Sequence, residues 1–539
     1  MPSKSYDYVI VGAGSAGCTL ARRLTEDAGT RVLLLEAGGW DRDPWIKIPI
    51  GWGRILEKRL HDWMYFTEPE PALDNRRIEC ARGKVIGGSS SINAMAYVRG
   101  NRGDYNRWAR NGCAGWSHDE VLPYFRRQES WEGGAGEYRG GDGPLTVQTT
   151  TFRDDLIDAC LAAGAALQMP ATQDYNGAQQ EGLGRMQQTI RDGRRCSAAE
   201  AYLRPALGRA DLTVETGAAV DHVVLDNGRA AGVEYHREGN VRIAWAEREV
   251  ILCGGVINSP QLLMLSGIGD PDRLAEHGIR AAVALPGVGR NLQDHLSVLA
   301  DFARVGQGPF VATLRLDRVI AALARCYWFG SGPAAETPSG WTGFVKSRPD
   351  AELPDIQFLF RAVATGAAPY LPPFKPAFAD GFSLRAVMLR PESRGEILLS
   401  SADPRAPLRI RQNFLSTEND RRTIRDGLKL VRRMGQTPPL KDFVARELKP
   451  GSGVESDAEL DAYIRATAAT AHHPLGTCKM GPDGDALAVV DPELRVRGVT
   501  GLRVVDASVM PDLVGGNINA PTIMIAEKAA DMIRGRAAL

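Results

Sequence analysis

The stretch "YDYVIVGAGSAGCTLARRLTEDAGTRVLLLEAG" (6–38) restricts the fold of this chain more than any other. Residues 6–11 are apolar and β-rich, a glycine turn follows, and "CTLARRLTE" carries helical spacing of its apolar positions. "RVLLLE" then reads as a second buried parallel strand ending at Glu36. The turn is GxGxxG, formed by Gly12, Gly14 and Gly17. The first glycine permits a tight turn, the second lets the backbone approach a pyrophosphate, and the third lets helix and strand pack closely. The helix N-terminus offers unpaired N–H groups to phosphates, and Glu36 stands where a carboxylate accepts ribose hydroxyls. A dinucleotide-binding α/β unit is expected, with an ordinary glycine turn as the alternative. The motif does not separate FAD from NAD.

At 539 residues the chain exceeds one ordinary core, so two domains are expected. Its 65 basic and 65 acidic residues balance, which argues against a nucleic-acid surface. The eight cysteines are scattered with no CxxC pair, a pattern of reduced, buried thiols and no zinc site. No apolar run approaches the roughly 18 residues that span a bilayer. The N-terminus enters the first strand almost at once, leaving no room for a signal peptide, and a cytoplasmic protein is expected.

Two histidines stand side by side in "AHHPLGTCKMG" (471–481). Neighbours on a strand point to opposite faces, so at most one of His472 and His473 should face a given pocket. The strand-like runs 355–360, 382–389, 395–401 and 408–414 predict an antiparallel sheet, with the amphipathic helix 418–436 covering it. The Pro/Ala/Gly-rich stretch 362–381 reads as a mobile loop and an entrance lid.

Several spaced segments carry a family resemblance. They are "GKVIGGSSSINAMAYVRGNRGDYN" (83–106), "GGVINSPQLLMLSGIG" (254–269), "PGVGRNLQDH" (286–295) and "GLRVVDASVMPDLVGGNINAPTIMIAEKAADMI" (501–533). With the N-terminal fingerprint and "HHPLGTCKMG", the whole chain resembles the glucose-methanol-choline (GMC) oxidoreductases. Val256 departs slightly from the family's second signature, which usually has a smaller residue there. In 254–269 a helix is expected from Ser259-Pro260.

The resemblance implies an α/β, Rossmann-like FAD domain formed by 1–140, 196–300 and 471–539. It places a substrate domain, an antiparallel sheet covered by helices, at 141–195 and 301–470. It implies that Gly12, Gly14, Ser15, Ala16 and Gly17 approach the pyrophosphate and that Glu36 meets the ribose. Val220 matches a backbone contact to adenine. Gly87, Gly88, Ser90, Asn93 and Ala94 match the isoalloxazine and ribityl side, and Asp506 and Ala507 the phosphates and ribityl chain. For Asp506 a plain helix cap is the alternative. Asn519 falls beside the flavin, and the helix from Pro521-Thr522 aims its positive dipole end at it. Ile92 stands where some relatives carry a flavin-linked histidine, so non-covalent FAD is expected.

The same resemblance assigns His473 as the base that takes the hydroxyl proton while hydride leaves for flavin N5, with Asn517 as alkoxide donor. An activity profile rising through an ionisation near neutrality is expected for such a base. His472 is either a substrate contact or a buried, hydrogen-bonded histidine. His295 is the other histidine of interest, because "NLQDH" lies near the domain junction. The His-Asn pair argues against a photocatalyst or a non-catalytic flavoprotein, and a lyase of the same fold or choline dehydrogenase-type activity is the alternative. "SGWTGFVKS" (339–347) has Gly340 and Trp341 where choline dehydrogenase-like relatives carry a glutamate. Trp341 is read as a pocket wall, with core packing as the alternative. A neutral primary alcohol is expected rather than choline, and O2 or another acceptor takes the electrons.

Overall fold

The apolar strand Ser5–Val11 lies inside a seven-stranded sheet. Val32–Glu36 and Leu212–Thr216 extend that sheet on one side, all in parallel register. On the other side runs the long strand Asn240–Leu252, parallel to the first. Its early residues form a hairpin with Arg229–Arg237, and its last three turn to pair with Leu502–Val504. The computed structural model describes residues 5–539.

Leu33, Leu34 and Leu35 are all buried because the parallel sheet is covered on both faces. The helix Ser15–Leu24 packs on it through Leu20, Ala21 and Leu24, beside the C-terminal helix Asn519–Ile533. A Cβ on Gly17 would stand 1.9 Å from the Gly12 carbonyl oxygen, so glycine is required for this close approach.

A second, wholly antiparallel sheet runs in the order Val444–Lys449, Leu296–Arg304, Gly381–Met388, Ile356–Arg361, Trp341–Val345 and Gly182–Arg185. Its strands alternate strictly. Ile356, Phe358, Phe360, Leu384 and Ala386 join an apolar core with Ile424, Leu428 and Val431 of the helix Glu418–Gly435. Leu299, Leu359, Arg361, Ser383 and Arg385 occupy the other face and line a cavity.

Several expectations change here. The strands Gly395–Leu398 and Arg409–Arg411 leave the large antiparallel sheet: the first pairs with Arg290–Leu292 and the second with the first, in a separate three-stranded sheet. Ile397 and Ile410 thereby enter the first core. The strand Leu296–Arg304 belongs to the second sheet, so a boundary at 300 cuts it in mid-strand. The stretch 362–381 packs Val363, Tyr370 and Phe378 beside Phe310 and Val319 and does not line the cavity.

The helix expected from Ser259 starts at Gly255, with Pro260 inside it. Proline has no N–H for the carbonyl four residues back. The Thr477 hydroxyl donates to that Val256 carbonyl at 2.6 Å and replaces the missing bond. All eight cysteines are free and buried. Among the described residues no helix is long and apolar enough to cross a membrane, and no histidine, cysteine and carboxylate cluster has the makings of a metal site.

Candidate active site

One cavity of about 1370 Å³ runs from the glycine turn of the first sheet to the polar face of the second. Gly12, Gly14, Ser15, Ala16, Glu36, Gly88, Asn93 and Ala94 line it, with Val220, Asp506, Ala507, Asn519 and Thr522. Three expected cofactor residues do not. Gly17 packs against the Gly12 carbonyl and Cys253 instead. Gly87, at φ 87°, makes the turn into the Gly88–Ser91 helical turn. Ser90 points inward, donating to the Gly87 carbonyl at 2.6 Å and accepting from the Ala198 N–H at 3.0 Å.

The cavity residues fit a dinucleotide. Two of the helices whose N-termini reach it, Ser15–Leu24 and Asn519–Ile533, lack a side-chain cap and an acid in the first turn. Their amides are left for an anion. The two ends are tied by the Ser15 hydroxyl, which donates to Asn519 Oδ1 at 2.7 Å. A Cβ on Gly14 would meet nothing within 4 Å, so the backbone there is open to close approach.

Glu36 accepts from the Ala13 N–H at 2.9 Å and from the Gly38 N–H at 2.8 Å. Burial pushes its carboxyl up to about 7, against the pull of those amides. Asp506 accepts from the Ser508 N–H, and its other oxygen takes the Gly255 N–H and the Ser259 hydroxyl. It is a cap and a cavity residue at once, so the two readings of Asp506 do not compete.

At the far end His473 and Asn517 meet. Asn517 Nδ2 lies 2.9 Å from His473 Nε2, and Gln357 Nε2 donates to Asn517 Oδ1 at 3.3 Å. The Gln357 bond orients the Asn517 amide, so its NH2 faces the histidine and Nε2 carries a lone pair. The opposite nitrogen, His473 Nδ1, is 3.0 Å from His295 Nδ1, while His295 Nε2 reaches the Leu389 carbonyl at 3.2 Å. The carbonyl accepts only, so His295 Nε2 bears hydrogen and His295 Nδ1 accepts from His473. The network thus gives His473 one tautomer, with Nε2 free of hydrogen.

Burial, with His295, Arg82 and His472 adding to it, holds the His473 pKa well below the ordinary histidine value. Burial also lowers His295 to about 3. Asp294 accepts the backbone N–H of His473 at 2.8 Å and the Thr470 hydroxyl, and anchors this segment.

Both adjacent histidines line the cavity, contrary to the strand argument. His472 has φ 63°, which breaks the alternation, and Arg82 donates to its carbonyl. Its Nδ1 is buried without a hydrogen-bond partner, and burial and Arg82 lower its pKa to about 3. Trp341 is not a pocket wall. It lies on the apolar face of the second sheet, stacked on Phe360 with ring centroids 5.7 Å apart. Sequence reasoning missed Gln357, Arg82, Arg361 and Arg385. For the last two and Gln357 the signal was present in "IQFLFR" and "FSLRAVM", where Gln357, Arg361, Ser383 and Arg385 all fall on alternate positions between apolar residues.

Comparison with known proteins gives the family. Residues 6–297 and 391–526 match the N- and C-terminal parts of the GMC oxidoreductase family. The chain is 46% identical to mitochondrial choline dehydrogenase of Mus musculus, over 99% of this chain and 90% of that protein. It is 44% identical to oxygen-dependent choline dehydrogenase 1 of Chromohalobacter salexigens, over 99% and 96%. Among solved structures, pyridoxine 4-oxidase from Mesorbium loti superposes with a TM-score of 0.88 at 34% identity, covering 99% of this chain and 100% of that one. A fungal aryl-alcohol oxidase gives 0.83 at 25% identity, covering 98% of each chain. The chain belongs to the GMC oxidoreductase family, and it is an FAD-dependent enzyme acting on the CH–OH group of an alcohol.

Proposed function

We propose that this enzyme oxidises a primary alcohol to its aldehyde with His473 as general base and Asn517 as alkoxide donor. The carrying observation is the 2.9 Å approach of Asn517 Nδ2 to a hydrogen-free His473 Nε2. A hydroxyl that displaces this direct contact accepts from the amide while donating its proton to the imidazole. As that proton moves, the amide stabilises charge developing on oxygen. The chain from His473 through His295 to the Leu389 carbonyl keeps the accepting nitrogen aimed at the substrate. Bound FAD supplies the acceptor for the hydride that leaves the carbinol carbon.

Gly12, Gly14, Ser15, Ala16, Glu36 and Val220 would hold the dinucleotide along the first sheet. Gly88, Asn93, Ala94, Asp506, Ala507, Asn519 and Thr522 would hold the flavin end. Gly17, Gly87 and Ser90 shape this cradle from behind. The first sheet thus serves the cofactor and the second the substrate. Ile92, a cavity residue without a nucleophile, supports non-covalent FAD. Flavin that stays on the polypeptide after acid precipitation overturns that point. His472, with an unpaired nitrogen beside the base, is a substrate contact. Electrons pass on to O2 or another acceptor, and the oxygen-dependent relative supports the former. The eight free cysteines support a reducing compartment such as the cytoplasm.

Choline oxidation is the second reading, favoured by the relatives' identity of 44–46%. The cavity speaks against it. Its lining carboxylates, Glu36, Asp221, Glu238 and Asp506, belong to the first sheet and its turns, and the second sheet contributes none. A quaternary cation there would lie unpaired. Anaerobic mixing of the holoenzyme with a panel of alcohols tests the function: one of them bleaches the flavin, and failure of every alcohol refutes it.

A further inference from the structure

Two arginines on the polar face of the second sheet have no part in the proton transfer. In the sheet register Arg361 lies opposite Ser383, and Arg385 opposite Leu359 and Leu299. They are therefore diagonal neighbours on adjacent strands, a separation that long side chains bridge. Both line the cavity.

Their partners are neutral. Arg385 donates to the Ser297 hydroxyl at 3.0 Å, and Arg361 to the hydroxyls of Thr365 at 2.8 Å and Ser383 at 3.3 Å. The acid beside them, Asp301, takes the Thr365 hydroxyl at 3.0 Å and lies 3.9 Å from Lys449 Nζ. Burial holds both guanidinium groups below the ordinary arginine value, and Arg361 lowers Arg385 further. Buried charges are normally paired, because an unpaired one loses its hydration without recompense. Two cations aimed into one cavity with a single shared acid leave an excess of positive charge.

The excess lies close to the base. Ser297, which accepts from Arg385, donates in turn to the Ala469 carbonyl at 2.8 Å. Ala469 precedes His473 by four residues, a span of at most about 14 Å. A molecule whose hydroxyl meets His473 and Asn517 would have its other end within reach of the arginines.

We propose that Arg361 and Arg385 form an anion subsite, and that the substrate is an alcohol carrying a carboxylate or phosphate several bonds from its carbinol carbon. The planar guanidinium matches either group with paired N–H donors. This rests on the reading of the chain as an alcohol oxidoreductase, and it replaces the neutral tail expected from the sequence.

Anaerobic stopped-flow reduction of the holoenzyme compares 6-hydroxyhexanoate, 5-hydroxypentyl phosphate, 1-hexanol and choline. At least one of the two anions exceeds 1-hexanol in kcat/KM by about tenfold or more, the worth of one charge-assisted hydrogen bond. The better anion identifies the group. Arg385→Met and Arg361→Met each shrink that ratio toward one, and Arg385→Lys keeps part of it. Tryptophan fluorescence supplies a readout free of turnover, titrating hexanoate and pentyl phosphate into wild type and variants. At least one of these binds wild type and binds either methionine variant several-fold more weakly. If 1-hexanol or choline matches both anions in wild type, the subsite is refuted, whatever the variants do. If no alcohol reduces the flavin yet one anion binds with this arginine dependence, the subsite stands and only the alcohol reading fails.

Discussion

The imidazoles of His295 and His473 meet edge to face, with their Nδ1 atoms 3.0 Å apart and their ring planes at 87°. They come from segments 178 residues apart, and His295 is fully buried. The pair makes His295 a positioning residue: its Nδ1 accepts the hydrogen bond from the N–H that His473 carries on its far nitrogen. His295→Ala should therefore retain FAD while slowing alcohol-dependent flavin reduction by about 10²-fold, the penalty of a misplaced reacting group. His295→Asn offers a carbonyl acceptor in a similar place and should recover part of the rate. Equal losses in both variants would assign the residue to packing alone.

His473→Ala removes the proposed base. Reduction by alcohol should fall roughly 10²–10⁴-fold with yellow enzyme still recovered. Asn517→Ala should cost about 10²–10³. Gln357→Leu frees the Asn517 amide to rotate and should lower the rate less than Asn517→Ala. Rapid-mixing kinetics on the three variants order these effects, and a near-normal His473→Ala would move the base to His472.

The position of the ionisation follows from burial. A histidine accepts a proton only when it is neutral, and the His473 pKa lies well below its ordinary value. The neutral fraction is thus already complete at pH 7. The rate of flavin reduction should stay level from about pH 6.5 upward and fall only on the acid side. This corrects the expectation of a rise near neutrality. An active-form ionisation between pH 7 and 8 in the reductive half-reaction would contradict the buried His473.

Two glycines of one motif should respond differently. Gly14 has φ −77° and free space where a Cβ would stand, so Gly14→Ala should leave apoprotein stability unchanged and weaken FAD binding. Gly17→Ala would drive its Cβ into the Gly12 carbonyl, 1.9 Å away. Thermal denaturation of the apoprotein should show a loss of about 1–3 kcal/mol for Gly17→Ala. Similar melting of both apoproteins would argue against this division of labour.

Trp341 is fully buried between Phe358 and Phe360. Trp341→Ala should cost about 3–5 kcal/mol in denaturant unfolding. Its ratio of activities toward different alcohols should change little. A specificity change without loss of stability would restore it to the pocket.

The glycine turn, Glu36, the helix Glu418–Gly435 and the His473–Asn517 pair were all legible in sequence, because each rests on local spacing or on a motif. Local spacing also carried the alternation that sends Gln357, Arg361, Ser383 and Arg385 to one face of the second sheet. Which face meets the cavity was decided by packing: the apolar side closes on the helix Glu418–Gly435, and the polar side is left for the site. Trp341 went to the core for the same reason, one residue out of phase with Thr342. The strand argument failed at His472 because a left-handed backbone conformation is set by contacts such as Arg82 on its carbonyl, which come from far along the chain. Sequence alone determined the dinucleotide-type glycine turn and the family whose chemistry the chain carries. The tertiary structure decided the tautomer of His473 and its lowered pKa, since both depend on groups brought together from segments far apart in the chain.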